Sequence, residues 1–282
     1  MKENIYQDKV KAYYDYTRGL YRVFYHGDTN ALHYGIWDSS TKNLHEALLN
    51  TNKFLAEQAD IKPGERVLDA GCGVGGSAFW LAKNRGVHVT GITLSERQLA
   101  KAKELAAKLG LEKQTEFSLQ DYTKTDFPDG SFDIVWAIES VCYAVEKPDF
   151  LCEAYRLLKY GGRLVVADGF LEREPEQENE KRMLKNFLHG WALDNLAASR
   201  KFEGMLHAVG FHDVQNWDKT EDILPTAIAL WRMSRFSLPL SIFTTWLGLT
   251  PQLLVGNNKA GIDQLPLFQN RVLTYRIFLA EK

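Results

Sequence analysis

Arg66-Val67-Leu68-Asp69-Ala70-Gly71-Cys72-Gly73-Val74-Gly75-Gly76 is the stretch that decides the fold. A short apolar run ends in the carboxylate of Asp69, and four glycines follow within the six residues from Gly71 to Gly76. Ser77-Ala78-Phe79-Trp80-Leu81-Ala82 then reads as a helix. A strand, a glycine turn and a helix in succession let a ligand lie on bare backbone beside the helix's positive end. Gly71, Gly73 and Gly76 satisfy the G-x-G-x-x-G spacing of dinucleotide sites. Such a site also wants an acid at the end of the next strand to hold a ribose. Here residues 88–92 run into Thr93-Leu94-Ser95, with no acid before Glu96. Asp69 has no task against a pyrophosphate, but it has one against an ammonium group. We therefore read the turn as a site for S-adenosylmethionine, with Asp69 at its amino-acid end and Gly71, Cys72 and Gly73 as the backbone cradle. A nicotinamide cofactor, or no ligand at all, are the competing readings.

Outward from the turn, strands and helices alternate. Strands are expected at 66–70, 88–92, 115–119, 132–137 and 164–167. Helices are expected at 75–84, from the N-cap Ser95 to Leu109 where Gly110 stops it, and from 147 to 158. This rhythm predicts an α/β, Rossmann-like, mostly parallel sheet with helices on both faces and the ligand at the strands' carboxyl ends. After Asp168 the rhythm breaks. The sequence predicts helix over 184–209, a strand at 213–217 and a last strand at 271–279. Residues 1–62, crowded with tyrosines, read as an N-terminal helical cap and 63–282 as the core. Substrate-lid insertions are expected at about 171–197 and 220–268, the second as a helical insertion before the last strand.

The 282 residues carry 34 Lys+Arg against 36 Asp+Glu, and a net charge of −2 gives no basic field for nucleic acid. The three cysteines show neither metal nor disulfide spacing, the histidines are scattered singly, and the first residues lack a signal peptide's apolar core. No metal and a cytoplasmic setting are expected. Residues 236–258 contain no charge, but Pro239, Gly248 and Pro251 interrupt them. Three readings stay open for this stretch: core under a lid, a greasy pocket wall carrying Trp246, or transient contact with a membrane surface. Either a monomer or a homodimer is compatible with the sequence.

Residues 67–76, together with Phe132-Asp133-Ile134-Val135-Trp136-Ala137 and Leu157-Leu158-Lys159-Tyr160-Gly161-Gly162, resemble three motifs of the class I S-adenosylmethionine-dependent methyltransferases. The resemblance implies a seven-stranded sheet whose last strand is antiparallel. Gly91-Ile92-Thr93-Leu94-Ser95-Glu96-Arg97-Gln98 looks like the run of tocopherol-type C-methyltransferases and cyclopropane fatty-acid synthases. That likeness implies nucleoside contacts for Thr93, Leu94 and Gln98, while Ile138 would line the methionine side. Adenine needs an acceptor after the third strand, where Gln120-Asp121-Tyr122 offers Asp121; a turn cap is the other reading of that residue. His33-Tyr34-Gly35-Ile36-Trp37-Asp38 resembles a segment of sterol, tocopherol and prenyl diphosphate C-methyltransferases that closes over both ligands. His33, Tyr34 and Trp37 are substrate-side candidates on that ground.

Methyl transfer leaves S-adenosylhomocysteine, and the chemistry turns on the nucleophile. Glu139 follows an apolar strand, so desolvation is expected to make it a useful general base. Tyr143, four residues on, is expected on the same face, and Glu-Ser-x-x-Tyr resembles the active-site run of prenyl diphosphate C-methyltransferases. The sequence thus predicts methyl transfer to a small lipophilic acceptor, at carbon of an isoprenoid, sterol-like or prenyl-quinol molecule. The alternatives are N- or O-methylation of a polar molecule, cyclopropane-type lipid modification, and a non-catalytic adenosyl- or lipid-binding module. Arg18, Arg22 and Arg235 form no evident cluster for a diphosphate.

Overall fold

The protein is described from a computed structural model covering residues 6, 9–14, 16 and 29–282. Tyr21, Phe24, Tyr25, Arg18 and Arg22 lie outside the described residues. Residues 9–14 are helical. Helix α1 (Leu44–Gln58) follows, its first turn held by Asn43, whose side chain accepts from the Glu46 amide. The alternating half then runs β1 (Arg66–Ala70), α2 (Gly76–Arg85), β2 (His88–Thr93), α3 (Glu96–Leu109), β3 (Thr115–Leu119), β4 (Phe132–Ile138), α4 (Lys147–Leu157) and β5 (Leu158–Leu171). Ser95 caps α3 and Gly110 ends it in the left-handed conformation, as its sequence requires. The remainder is α5 (Glu178–Gly190), α6 (Ser199–Val209), β6 (His212–Asp218), α7 (Thr220–Trp246), α8 (Leu253–Gln269) and β7 (Leu273–Glu281).

The seven strands lie in the order β3-β2-β1-β4-β5-β7-β6. β1 to β5 run parallel to one another, and β7 is antiparallel to both β5 and β6. Apolar side chains of the inner strands pack on both faces, with Trp136, Tyr275 and Ile134 in one layer and Phe132, Leu68 and Phe278 in the other. The strand order reverses between β1 and β4, which opens a crevice at their carboxyl ends.

One stretch differs from expectation, and the expected helical insertion before the last strand is present. The helix expected over 184–209 is broken after Gly190, and Ala192 has a φ of +57°. A β-carbon on Gly190 would collide with the Gly256 backbone of α8, so the two helices touch through glycines and the chain must turn away there. The insertion before the last strand is a two-helix hairpin, α7 with α8, and α5 packs along α8. Among the described residues no helix is long and apolar enough to cross a membrane.

Candidate active site

The glycine turn is tied down by β2. The amides of Gly71 and Cys72 both donate to the Ile92 carbonyl, at 3.1 and 2.9 Å, and Gly75 donates to Cys72. Gly71 has a φ of +94°, and a β-carbon there would sit 2.5 Å from the Ser140 β-carbon. Only glycine lets the β1 and β4 loops approach this closely. Asn30 lies over the start of α2, and a β-carbon on Gly76 would come within 2.6 Å of the Asn30 carbonyl oxygen. The segment before α1 thus closes the crevice from above.

Beneath it is a cavity lined by residues from four successive strand ends. Asp69, Gly71, Cys72 and Gly73 come from β1 and its turn, and Thr93, Leu94 and Gln98 from β2 and α3. Gln120, Asp121 and Tyr122 follow β3, and Ile138 closes β4. All eleven expected cofactor positions therefore meet in one space.

Asp69 is 3% exposed, and its Oδ2 has no hydrogen-bond partner. Burial pushes the carboxyl up to about 7, with the Ala78 amide pulling the other way. A buried, unpartnered carboxylate oxygen costs free energy unless a donor arrives, and the ammonium group of S-adenosylmethionine is such a donor. Gly73 leaves open space where a side chain would be, since a β-carbon would meet only the Gln98 amide nitrogen at 3.9 Å. Thr93 Oγ1 donates to Gln98 Oε1 at 2.7 Å, which orients the amide beside that gap. The residues present fit the amino-acid end and the diol. Asp121 keeps both of its readings: Oδ1 accepts from the Thr123 amide and hydroxyl at 2.8 and 2.7 Å, and the residue lines the cavity. Gln120 is engaged by the Asp126 amide and by Ser118.

A second, more apolar cavity adjoins the first and shares His33, Glu139 and Tyr143 with it. Tyr14 and Tyr34 from the N-terminal part, Phe187 and Trp191 from α5 and its end, Leu230 from α7 and Phe268 from α8 supply its walls. Glu139 stands on the partition with a φ of +48°, a conformation a non-glycine residue adopts only when its surroundings impose it. Its amide donates to the Ala167 carbonyl at 2.8 Å. Glu139 Oε1 accepts from the Tyr34 amide at 2.5 Å and from the Tyr275 hydroxyl at 3.0 Å. Burial pushes the carboxyl up to about 8 despite these bonds.

The expectation that Tyr143 shares a helical face with Glu139 is corrected by this geometry, although both line the two cavities. Residues 141–143 form a tight 3-10 turn, and the Tyr143 hydroxyl donates to the Trp191 carbonyl at 3.0 Å. The tyrosine that serves Glu139 is Tyr275, on β7. Tyr275 is fully buried and 136 positions away in sequence, so no local pattern could reveal it. Asp168, in the last part of β5, was missed as well. It lines the second cavity, accepts from the Cys142 and Gly169 amides at 2.8 Å, and is pushed up to about 6 by burial.

Of the substrate-side candidates, His33 and Tyr34 lie at the cavities. Tyr34 also donates to Gln264 Oε1 at 2.7 Å, which ties the strap before α1 to α8. Trp37 and Trp246 are corrected. The Trp37 indole donates to Thr226 Oγ1 at 2.9 Å, fastening the strap to α7 outside either cavity. Trp246 is 78% exposed at the far end of α7. The polar Ser and Thr of that stretch face the partner helix, so its apolar residues turn outward instead of toward a pocket.

The sheet order and this crevice define the class I S-adenosylmethionine-dependent methyltransferases. Within that class the chain belongs to the mycolic acid cyclopropane synthetase family, whose model matches residues 1–217. Methyltransferase GfsG of Streptomyces halstedii is 39% identical over 162 residues, 57% of each protein. Cycloartenol-C-24-methyltransferase 1 of Oryza sativa subsp. japonica is 31% identical over 251 residues, 86% of this chain and 70% of that one. The chain thus spans little more than half the length of the first of these. The cyclopropane synthase MmaA2 of Mycobacterium tuberculosis superposes with a TM-score of 0.84 over 98% of both chains at 18% identity, a likeness of fold.

Proposed function

We propose that this chain methylates a small lipophilic acceptor at carbon, in the class of isoprenoids, sterol-like molecules or prenyl quinols. The observation that carries the reading is Glu139, held on the partition between the cofactor crevice and an aromatic cavity. S-adenosylmethionine, when bound, supplies an electrophilic methyl carbon, so the protein's contribution is orientation and electrostatics. Asp69 holds the ammonium group, and Thr93, Leu94 and Gln98 hold the nucleoside side. An alkene or electron-rich ring that takes up the methyl group becomes cationic. The ring faces of Tyr14, Tyr34, Tyr143 and Trp191 attract that charge. Glu139, as carboxylate, then removes the proton from the neighbouring carbon and restores a neutral product, with Tyr275 holding the carboxyl in place. The sterol carbon named for the rice relative supports this choice of acceptor. In this reading the protein is cytoplasmic, acts as a monomer or homodimer, and meets its acceptor without nucleic acid or metal, through transient contact with a membrane surface.

The same arrangement allows a second ending, favoured by the family match: the proton leaves the transferred methyl group and a cyclopropane closes. Incubation with trideuteromethyl cofactor and lipid or polar acceptors separates the cases. Three deuterons in a lipid product are expected. Two would show that the proton left the transferred carbon, with NMR separating a cyclopropane from an exocyclic methylene, and label confined to polar products would overturn the lipophilic reading.

A further inference from the structure

At its tip the α7–α8 hairpin is inside out. Phe236, Leu240, Phe243 and Leu247 recur on one face of α7, and Ile242 and Trp246 lie on the next, so apolar side chains cover an arc of about 160°. Phe236 is 86% exposed, Trp246 78% and Leu249 71%. The polar residues occupy the opposite, inward arc. Ser237 donates to Asn258 Oδ1 at 2.5 Å, and Asn258 Nδ2 donates to Ser241 Oγ at 3.1 Å. Thr250 shares hydrogen bonds with Thr244 and Thr245, at 2.8 and 3.1 Å. The Ser241 hydroxyl also returns to the Leu238 carbonyl, and the loop amides of Gly248 and Leu249 bond to Thr245 and Thr244. A hydrogen-bonded polar seam wrapped in apolar surface suits helices whose outer solvent is hydrocarbon. Between residues 223 and 262 there is no acid; the three charges are Arg232, Arg235 and Lys259, all exposed and all on the body side of the tip. A convex apolar tip with a basic collar complements an anionic lipid surface. A second copy of the chain would cover one face of the tip and leave the rest of the arc in water.

We propose that this tip inserts shallowly into an anionic bilayer, Phe236 to Leu249 entering the interface and Arg232, Arg235 and Lys259 remaining among the headgroups. The hairpin also carries Leu230 and Phe268 of the second cavity, so insertion brings that cavity's wall to the lipid. The contact does not depend on the reaction assigned to the site, and it is measured without acceptor. The test is cosedimentation of the full chain with phosphatidylcholine vesicles, alone or with about 30 mol% phosphatidylglycerol. Binding to the anionic vesicles at least about tenfold stronger than to neutral ones, and weakened by salt, is expected. Phe243→Ser with Trp246→Ser should abolish it while calorimetric cofactor affinity is unchanged, which shows the variant to be folded. Arg232→Gln with Arg235→Gln should remove only the anionic preference. The proposal is overturned if the native chain binds neither vesicle, or if the apolar double variant binds as well as the native chain. It is equally overturned if sedimentation shows a native dimer that the same variant converts to monomer.

Discussion

The two cavities meet at Glu139 but are built differently. The cofactor crevice draws its named positions from residues 69–138, each at the end of a strand or the start of the following helix. The aromatic cavity draws on residues 13, 14, 32–34, 139–143, 168–169, 187–196, 230 and 268, which share no local motif. The floor of the crevice is built on the parallel strands, and its roof comes from Val10, Lys11, Tyr14 and residues 30–33. The aromatic cavity exists only once the strap, α5, α7 and α8 have docked. In the proposed reading, chemistry common to a class of enzymes sits in the first, and acceptor choice in the second.

Changes to each side should separate cleanly. The largest effect is expected from Glu139→Gln, a loss of about a hundredfold or more in kcat with cofactor affinity retained. Unchanged turnover would remove Glu139 from the reaction. In the native protein, kcat/KM should rise with pH through about 8 as Glu139 ionises, since only the carboxylate accepts a proton, and the variant should lose that rise.

Asp69→Asn should instead weaken S-adenosylmethionine binding by about ten- to a hundredfold, the usual worth of a hydrogen bond to a charged group. The Asp69 carboxyl lies at about 7 in the free protein. Calorimetry below that pH should therefore show affinity falling about tenfold per unit, as the ammonium must displace a proton. A flat profile would separate Asp69 from the ammonium.

The same group gives a stability signature. Asp69, Asp168 and Glu139 are all raised by burial, so the folded chain binds more protons than the unfolded one. Their contribution is complete below the ordinary carboxylate range and is lost as pH rises through about 6, 7 and 8. Thermal melts of the cofactor-free protein should fall across that window, and Asp69→Asn should shallow the fall.

Tyr275→Phe removes one bond to Glu139 and should cost about three- to tenfold in kcat, with the pH profile displaced upward. A loss of rate with an unmoved profile would make Tyr275 merely structural. The smallest effect is expected from Trp37→Phe. Loss of its bond to Thr226 should lower stability by about 1 kcal/mol and leave cofactor affinity alone; a change in cofactor affinity would place Trp37 at the site after all.

What could be read in advance follows the same division. β1, β3 and the caps of α3 were legible residue by residue because strand period, N-cap and left-handed glycine are local properties. Asp69 with its glycines was legible for the same reason. Tyr275 was not, because its partner is reached only through the β5–β7 pairing. Trp246 was misplaced because an uncharged stretch reads alike whether its apolar face turns inward or outward.

By itself, then, the sequence determined the alternating sheet, the carboxylate-glycine bend and the acid after the fourth strand, since each is encoded within a few neighbouring residues by steric and hydrogen-bonding preference. Tertiary structure alone decided which tyrosine holds Glu139, which rings wall the acceptor space and which way the hairpin faces. Those outcomes depend on contacts between segments 17 to 230 positions apart, set by the packing of whole elements.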